Sequence, residues 1–455
     1  MDRAIAGGLL VALIFTALAF GANEAWSVGL FEMLVTVLLL LWAIKSVGEK
    51  EVRLVWPGTA WPLAGLCALG VVQALWLSRD REATQGATLA IFFMLAAFII
   101  ATNFFATREH VSLLVNVLVV YGMALAVFAL IQSFTFEGKI YWVRPTPFPA
   151  FGPFPNRNHY AGYMEMLAPL PFALIAARAV RRQSWLFYGF AGVVMAISVF
   201  VSLSRGGVMS VVAGIAFVAM LSHRVKPRRA PRQVRDAVLV LSRSERAFSI
   251  VKRIGGAAVI AMAIVIGVFW IGAEGLINRA ADSIDSIKAE DDTPGALFSR
   301  QEIWKDTWKM VRAHPITGSG LGTYNSVFPN YARHDGMYKV DYAHNDYLQA
   351  LADGGAVGGA LALVFIVLLG SSVWRATRAT DPLEAGLALG SGAGLFALLV
   401  HSAFDFNLQI PSNALLFVFL SAMVSRIAAT VNERKTSGQM ARAARPEAAG
   451  LPTGV

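Results

Sequence analysis

Residues 87–106, ATLAIFFMLAAFIIATNFFA, decide the fold class, because this stretch contains no charged residue. A helix of this length rises far enough to cross a hydrocarbon core about 30 Å thick. Similar apolar runs recur along the whole chain, so the first of them is not merely a cleaved signal peptide. The runs are 4–21, 27–44, 60–77, 87–106, 111–132, 160–177, 185–203, 206–222, 256–273, 351–374, 384–406 and 410–430.

Composition agrees with this pattern. Hydrophobic residues make up 56% of the 455 residues and charged residues only 15%, whereas about a quarter of a soluble domain is charged. The sequence therefore predicts an all-α, polytopic integral membrane protein of about 12 transmembrane helices. Residues 1–433 form a single transmembrane domain with one long loop at 274–345, and residues 434–455 form a disordered cytoplasmic tail. The single cysteine, Cys67, excludes an intrachain disulfide and a cysteine-based metal site.

The positive charges orient the chain. With a cytoplasmic N-terminus, 25 of the 39 Lys and Arg residues fall in or beside cytoplasmic segments and 14 fall on the other side. Eight of those 14 lie in the 274–345 loop, and long loops are largely exempt from the positive-inside rule. We predict that both termini are cytoplasmic. The basic run from His223 to Arg253 is then a lipid-facing cytoplasmic loop, so the net charge of +10 requires no nucleic-acid partner.

Four polar clusters fall on the predicted outer side, and this grouping suggests a composite site. They are FGPFPNRNHYAGYME at 151–165, SLSRGG at 202–207, the long loop ending in DYAHNDY at 341–347, and HSAFDFN at 401–407. Plainer interpretations exist for each: turn formation at 152–158, headgroup contact by Arg205, a surface histidine at His344, and a local pair between His401 and Asp405. Glu165 is harder to explain away, because a carboxylate within an apolar span usually faces protein or water.

The long loop contains its own predicted helix near 300–313. Ser299-Arg-Gln-Glu302 has the pattern of a capping box, and His314-Pro315 ends the helix. An apolar stripe and a basic stripe predict an amphipathic helix at the membrane interface. Arg300 lies in the first turn, where free N–H groups attract anions. The apolar stripe is Ile303, Trp304, Trp308 and Val311, and the basic one is Lys305, Lys309 and Arg312.

Two further patterns are not expected to form a phosphate-binding or metal-binding site. Gly318-Ser-Gly-Leu-Gly322 lacks the Gly-Lys-Ser/Thr ending of a phosphate-binding Walker loop, so it is expected to be a turn. Glu290-Asp-Asp292 is expected to be a solvated acidic stretch rather than a metal site.

Together these segments resemble the bacterial O-antigen ligase and polymerase superfamily over roughly residues 140–415. The resemblance also rests on RQEIW at 300–304, HPITGSGLGTY at 314–324 and AHNDYLQ at 343–349. It implies a GT-C-like glycosyltransferase of the bacterial inner membrane whose active site faces the periplasm. The implied donor is an undecaprenyl-pyrophosphate-linked glycan, the reaction inverts the anomeric carbon, and neither a metal nor another cofactor is needed.

The resemblance also assigns roles to individual residues. Arg205 and Arg300 are expected to bind the donor pyrophosphate, and His344 is expected to be the general base. Their position on the same predicted face makes His159 and His401 competing candidates for the base, and the sequence leaves open whether Asp341 or Asp346 orients His344. The expected substrate-binding residues are Arg205, Arg300, Asn158, His159, Asp346 and His401.

Polymerisation of O-antigen or exopolysaccharide repeat units is preferred, because Asn156-Arg-Asn-His159 resembles a segment of exopolysaccharide polymerases. An O-antigen ligase would use the same donor but transfer the glycan to lipid A core. A lipid-linked glycan transporter or flippase would have an inverted repeat and charges near the bilayer midplane, and a scaffolding protein would not need convergent arginines. The expected partners are the lipid-linked donor, a glycan or lipid A core acceptor, and membrane lipids.

Overall fold

The computed structural model describes residues 1–52, 54–135, 138–146, 150–225, 300–333 and 340–443, and these are almost entirely helical. The helices are α1 (Asp2–Leu18), α2 (Ala25–Glu49), α3 (Ala60–Val72), α4 (Arg81–Phe104), α5 (Arg108–Phe134), α6 (Arg157–Leu167), α7 (Pro169–Ala176), α8 (Trp185–Val201), α9 (Arg205–Leu221), α10 (Arg300–Ala313), α11 (Tyr324–Val327), α12 (Asp346–Ala376), α13 (Pro382–His401) and α14 (Pro411–Ala443).

Short elements connect these helices. A π-helical turn, Gln73–Leu77, extends α3, and the two-residue strands β1 (Lys139–Ile140) and β2 (Arg144–Pro145) pair antiparallel. The 3₁₀ turns are Phe20–Ala22, Arg182–Ser184, Ser222–Arg224, Phe328–Asn330 and Asn407–Gln409. The described part of the chain is therefore an all-α protein, as the sequence predicts.

Nine segments of the described chain are long and apolar enough to cross a membrane, and each coincides with a predicted run. They are Ala25–Glu49, Ala60–Leu77, Arg81–Phe104, Arg108–Phe134, Arg182–Val201, Arg205–Arg224, Asp346–Ala376, Pro382–His401 and Pro411–Arg434. The polytopic membrane class is thus confirmed. The run at 256–273 lies outside the described residues, so the total of about 12 remains a prediction.

The two remaining predicted runs, 4–21 and 160–177, do not form single long helices. The run at 4–21 corresponds to α1, which has only 17 residues. The run at 160–177 is divided into α6 and α7, because Pro169 has no N–H to continue the hydrogen-bond ladder and instead starts a new helix at its first position. This break leaves α6 as a short, buried helix whose N-terminal end carries the polar 156–159 segment.

The last helix, α14, extends past the predicted start of the tail, through Arg434 to Ala443. The disordered cytoplasmic tail at 434–455 remains a prediction. Residues 444–455 lie outside the described residues.

The helix predicted in the long loop is present as α10, which ends at Ala313 as expected; its proposed cap, Ser299, lies outside the described residues. Its buried face differs from the predicted apolar stripe. Ile303, Met310 and Val311 pack into a small core with Tyr324 and Phe328, separate from the core of the bundle. The apolar face of α10 therefore packs mainly on protein, because α11 and α12 are close enough to cover it, and among its tryptophans Trp308 is the more exposed.

This small core is anchored to α12 through backbone hydrogen bonds. Gly355 interrupts α12 with a positive φ of 60°, a conformation that glycine adopts readily. The amides of Ala356 and Val357 consequently donate to the carbonyls of Pro315 and Ile316, at 2.9 and 3.0 Å. The long loop is thereby fixed beside the helix that begins at Asp346.

Candidate functional site

The polar clusters meet at one end of the bundle. α6, α9, α10 and α12 all begin there, and α13 ends there at His401. The segment after α13 is the shared contact surface, since side chains from α6, α10 and the start of α12 all reach Asp405. Four helix N-termini, each with the positive end of its dipole toward the site, favour a negatively charged ligand.

Asp405 lies at the centre of this surface and is only 1% exposed. Asn158 donates from Nδ2 to its Oδ2 at 2.8 Å, and the amide of Phe406 donates to its Oδ1 at 2.9 Å. The Arg300 guanidinium is 3.6 Å from Oδ2, and His344 Nδ1 is 3.4 Å from Oδ1. Three side chains separated widely in sequence thus share one carboxylate.

The charge of Asp405 is stabilised by these neighbours. Burial alone would raise the pKa of this carboxyl group. The contact with His344, the proximity of His159 and the positive charge of Arg300 outweigh burial, so the pKa lies well below its ordinary value. The group is a carboxylate at neutral pH, able to accept hydrogen bonds only.

The backbone holds His344 in an unusual conformation. Its φ is 50°, in the left-handed region that non-glycine residues rarely occupy and that is often found at functional sites. The following Asn345 caps α12 and donates from Nδ2 to the carbonyl of Ala403 at 3.0 Å, and the amide of Asp346 donates to the carbonyl of Ser402 at 2.8 Å. These bonds fix His344 against the segment that carries Asp405.

A phenyl ring separates the two histidines nearest to Asp405. His159 and His344 both make edge-on contacts with Phe406, with ring centroids 4.9 and 4.8 Å away. His159 is 7% exposed, and its carbonyl accepts a hydrogen bond from Asn413. The His344 side chain is 33% exposed, so of the two it is the one that an incoming substrate can reach more readily.

His401 does not pair with Asp405, contrary to one interpretation of their spacing. α13 ends at His401, and the amide of Asp405 still donates to the carbonyl of His401 at 3.1 Å, but the two side chains turn to different partners. The Nδ1 atom of His401 instead lies 3.0 and 3.1 Å from the two carboxylate oxygens of Glu165. Both side chains are fully buried, which explains how an apolar span accommodates Glu165.

The His401 ring also contacts the start of α9. A Cβ atom on Gly206 would lie 2.5 Å from the ring, so the absence of a side chain there lets α9 begin directly against His401. Ser204 caps this helix by accepting from the amide of Gly207. Arg205 is consequently held at the first position of α9, with an exposed side chain.

A further arginine lies close to Arg205. Burial and the positive charge of Arg205 both lower the pKa of Arg157, which lies in the first turn of α6 before the predicted span. Arg300, whose side chain is 47% exposed, approaches the same surface from α10. The sequence does not distinguish Arg157 as a site residue, because a basic residue near a span end is ordinarily expected to contact lipid headgroups.

The carboxylate found 3.4 Å from His344 Nδ1 is that of Asp405, whereas the sequence suggested Asp341 or Asp346 for this position. Asp346 accepts hydrogen bonds from the Ser402 hydroxyl and the Leu408 amide, at 2.8 and 3.2 Å. Its role is therefore to hold the start of α12 against the 402–408 segment. Asp405 belongs to the HSAFDFN cluster, but its spacing from His401 suggests only a local pair. The sequence therefore does not indicate that Asp405 lies beside His344.

No group of three or more His, Cys, Asp or Glu side chains among the described residues could hold a metal ion. Asp291 and Asp292 lie outside those residues. Metal independence therefore remains a prediction, to be tested on the reaction.

One comparison with known proteins bears on the site. Residues 190–363 match the family model described as O-antigen ligase. The matched stretch includes Arg205, Arg300 and His344, whereas Asn158, His401 and Asp405 lie outside it. No curated protein matches the chain.

Proposed function

We propose, from the premise that the chain belongs to the O-antigen ligase and polymerase superfamily, that it transfers a glycan from undecaprenyl pyrophosphate to a sugar hydroxyl. The preferred reaction is polymerisation of O-antigen or exopolysaccharide repeat units. Transfer to lipid A core is the alternative acceptor reaction at the same site.

The convergence of Asn158, Arg300 and His344 on Asp405 is the observation that supports this proposal. The site combines cationic groups for a phosphate with a partly exposed imidazole beside a carboxylate. Such an arrangement suits a reaction in which negative charge develops on a leaving group while a hydroxyl loses its proton. A structural contact alone would not require His344 to be both partly exposed and held in a left-handed conformation.

The arginines supply the charge that the leaving group needs. Arg205 and Arg300, with Arg157 nearby, present guanidinium groups that remain charged and bind phosphate through paired N–H donors. As the bond between the anomeric carbon and the pyrophosphate oxygen breaks, its electron pair passes to the pyrophosphate. Fixed guanidiniums and helix N-termini stabilise that developing charge without reorganising during the reaction.

His344 accepts the proton of the attacking hydroxyl. Asp405 faces Nδ1, which favours the tautomer with hydrogen on Nδ1 and leaves the Nε2 lone pair available. The acceptor oxygen bonds to the anomeric carbon, the hydroxyl proton moves to Nε2, and undecaprenyl pyrophosphate departs. Attack opposite to the leaving group inverts the configuration at that carbon.

A reconstituted transfer assay tests the proposal. The purified protein is supplied with an undecaprenyl-pyrophosphate oligosaccharide in EDTA, together with either more lipid-linked repeat unit or lipid A core. Longer lipid-linked glycans would support polymerisation, and glycosylated lipid A core would support ligation. Failure to use either acceptor would contradict the proposal, and activity restored only by Mg²⁺ or Mn²⁺ would contradict metal independence.

The site is expected to face the periplasm. In a Cys67→Ser background, Asn325→Cys should react with a membrane-impermeant maleimide added outside spheroplasts, because Asn325 is exposed at the end of the bundle that carries the site. Gln183→Cys, in the exposed turn before α8, should react only after the membrane is opened. The reverse labelling pattern would invert the topology and contradict a periplasmic site.

Replacing either donor arginine by lysine should impair transfer despite the retained charge. Arg205→Lys and Arg300→Lys each lose the forked pair of N–H donors, and we expect turnover to fall about tenfold for each, the equivalent of one charge-assisted hydrogen bond. Arg182→Lys, at the opposite end of the bundle, is the matched control. Full activity of both site variants would show that a point charge suffices and would remove the bidentate contact from the mechanism.

A further inference from the structure

A second basic site lies outside the cluster around Asp405. A cavity of about 680 Å³ opens between the turn that follows α3 and the loop that follows α10. Its polar walls include Arg79, Asp80, Arg81, His314, Asn330 and Tyr331. The proposed transfer reaction uses none of these residues.

The glycine-rich segment 318–322 builds this cavity by docking on the turn before α4. The amide of Arg79 donates to the carbonyl of Ser319 at 3.0 Å. Gly320 has a φ of 127°, and a Cβ there would lie 2.5 Å from the Ser78 hydroxyl, so a side chain would separate the two walls. On the other wall, the Tyr331 hydroxyl lies 3.3 Å from His314 Nε2. The segment that the sequence suggested was merely a turn therefore fixes two arginines opposite a histidine and a tyrosine.

The cavity is positively charged overall. Arg79 and Arg81 are exposed, whereas the Asp80 carboxylate accepts from the amide of Ala83 as the cap of α4. Burial and the charge of Arg79 both lower the pKa of His314, so this ring is neutral at neutral pH. A ligand would meet two guanidiniums together with the uncharged donors of His314, Asn330 and Tyr331.

The cavity is connected to the proposed active site by α10. This helix begins with Arg300 at the site and ends immediately before His314, a rise of roughly 20 Å for its length. Lys305 and Arg312 are exposed along it and lie on one face at helical spacing. Basic side chains of α10 therefore line the path from the proposed active site to the cavity.

From this geometry we propose that the cavity binds an acidic sugar, carrying a carboxylate or a phosphate, several sugar residues from the reacting end of the glycan. The inference rests on the proposed glycan transfer and adds the substrate class. Arginine forks bind planar carboxylates and phosphates through paired hydrogen bonds, and a neutral sugar would leave both guanidiniums without an anionic partner. The headgroup of an anionic lipid offers the same chemistry and is the competing occupant.

Binding of an oligogalacturonate to the full-length protein in phosphatidylcholine nanodiscs provides the test. Its methyl-ester form is the neutral probe of equal length. We expect the acid to bind at least about tenfold more tightly than the ester, and Arg79→Gln/Arg81→Gln to lose this difference, because each arginine supplies a charge-assisted contact. Arg181→Gln/Arg182→Gln, an exposed pair at the opposite end of the bundle, should retain it.

Equal binding of acid and ester by the wild-type protein, or unchanged acid binding by the Arg79/Arg81 variant, would overturn the inference. Phosphatidylglycerol in the nanodisc separates the two anion sources: loss of oligogalacturonate binding to the wild-type protein at matched ionic strength would assign the cavity to lipid headgroups. His344→Ala keeps the test distinct from the proposed function, since it should bind oligogalacturonate normally while failing to transfer glycan.

Discussion

His344→Ala should lower glycan transfer by about 10²–10⁴-fold, the usual contribution of a general base, and should leave donor binding nearly unchanged. The imidazole lies beside the Asp405 carboxylate and is partly exposed, whereas donor binding is assigned to the arginines. The measurement is single-turnover transfer by the purified variant, alongside donor binding monitored by quenching of a fluorescent lipid-linked analogue.

His223→Ala, in the exposed turn that follows α9, is the matched control and should retain wild-type turnover. Near-normal turnover of His344→Ala together with an inactive His159→Ala would assign the base to His159. If both variants and His401→Ala remain active, no histidine is the base, and Glu165 or Asp346 becomes the candidate.

Asp405→Asn should affect both turnover and stability. The carboxylate accepts from Asn158 and lies beside Arg300 and His344, so replacing it with a neutral amide removes the charge that stabilises these groups. We expect turnover to fall at least about tenfold and the folded state to lose about 1–3 kcal/mol, the cost of leaving buried polar groups unsatisfied. The measurements are kcat/KM at neutral pH and thermal unfolding in detergent as a function of pH.

The stability of the folded state should depend on pH through Asp405. The pKa of Asp405 is lowered on folding. Its contribution to stability is therefore complete above the unfolded value of about 4 and disappears as pH falls through the lower folded value.

Asp381→Asn is the control for this variant, because Asp381 caps α13 at the opposite end of the same helix and pairs with Arg108. It should alter unfolding without lowering kcat/KM. A kcat/KM of Asp405→Asn that matches the wild type would contradict coupling between Asp405 and His344.

The membrane helices were predictable from the sequence, but their interruptions were predictable only in part. Uniform apolar runs such as α4 and α5 have one stable outcome in a membrane, since a helix satisfies its own backbone groups. The division at Pro169 follows from the missing N–H of proline. Hydropathy alone does not register this, because residues 160–177 still form one continuous apolar run. The kink at Gly355 was not predictable, because it depends on the loop carbonyls that receive its rotated amides.

The grouping of polar segments was predictable, whereas the pairing of individual side chains was not. His401 and Asp405 are four residues apart, which suggests a local pair. Their side chains turn to different partners instead, since His401 faces Glu165 and Asp405 faces His344. These partners lie 236 and 61 residues away in sequence, and only tertiary packing brings them together.

The central claim, that the His344 imidazole takes the proton of the acceptor hydroxyl, is tested most directly by chemical rescue. Because this side chain is partly exposed, His344→Ala should leave an opening that free imidazole can enter from solvent. Added imidazole should restore transfer by purified His344→Ala in proportion to its unprotonated fraction, with no effect on the wild-type enzyme or on His159→Ala. Rescue of His159→Ala but not of His344→Ala would contradict the assignment.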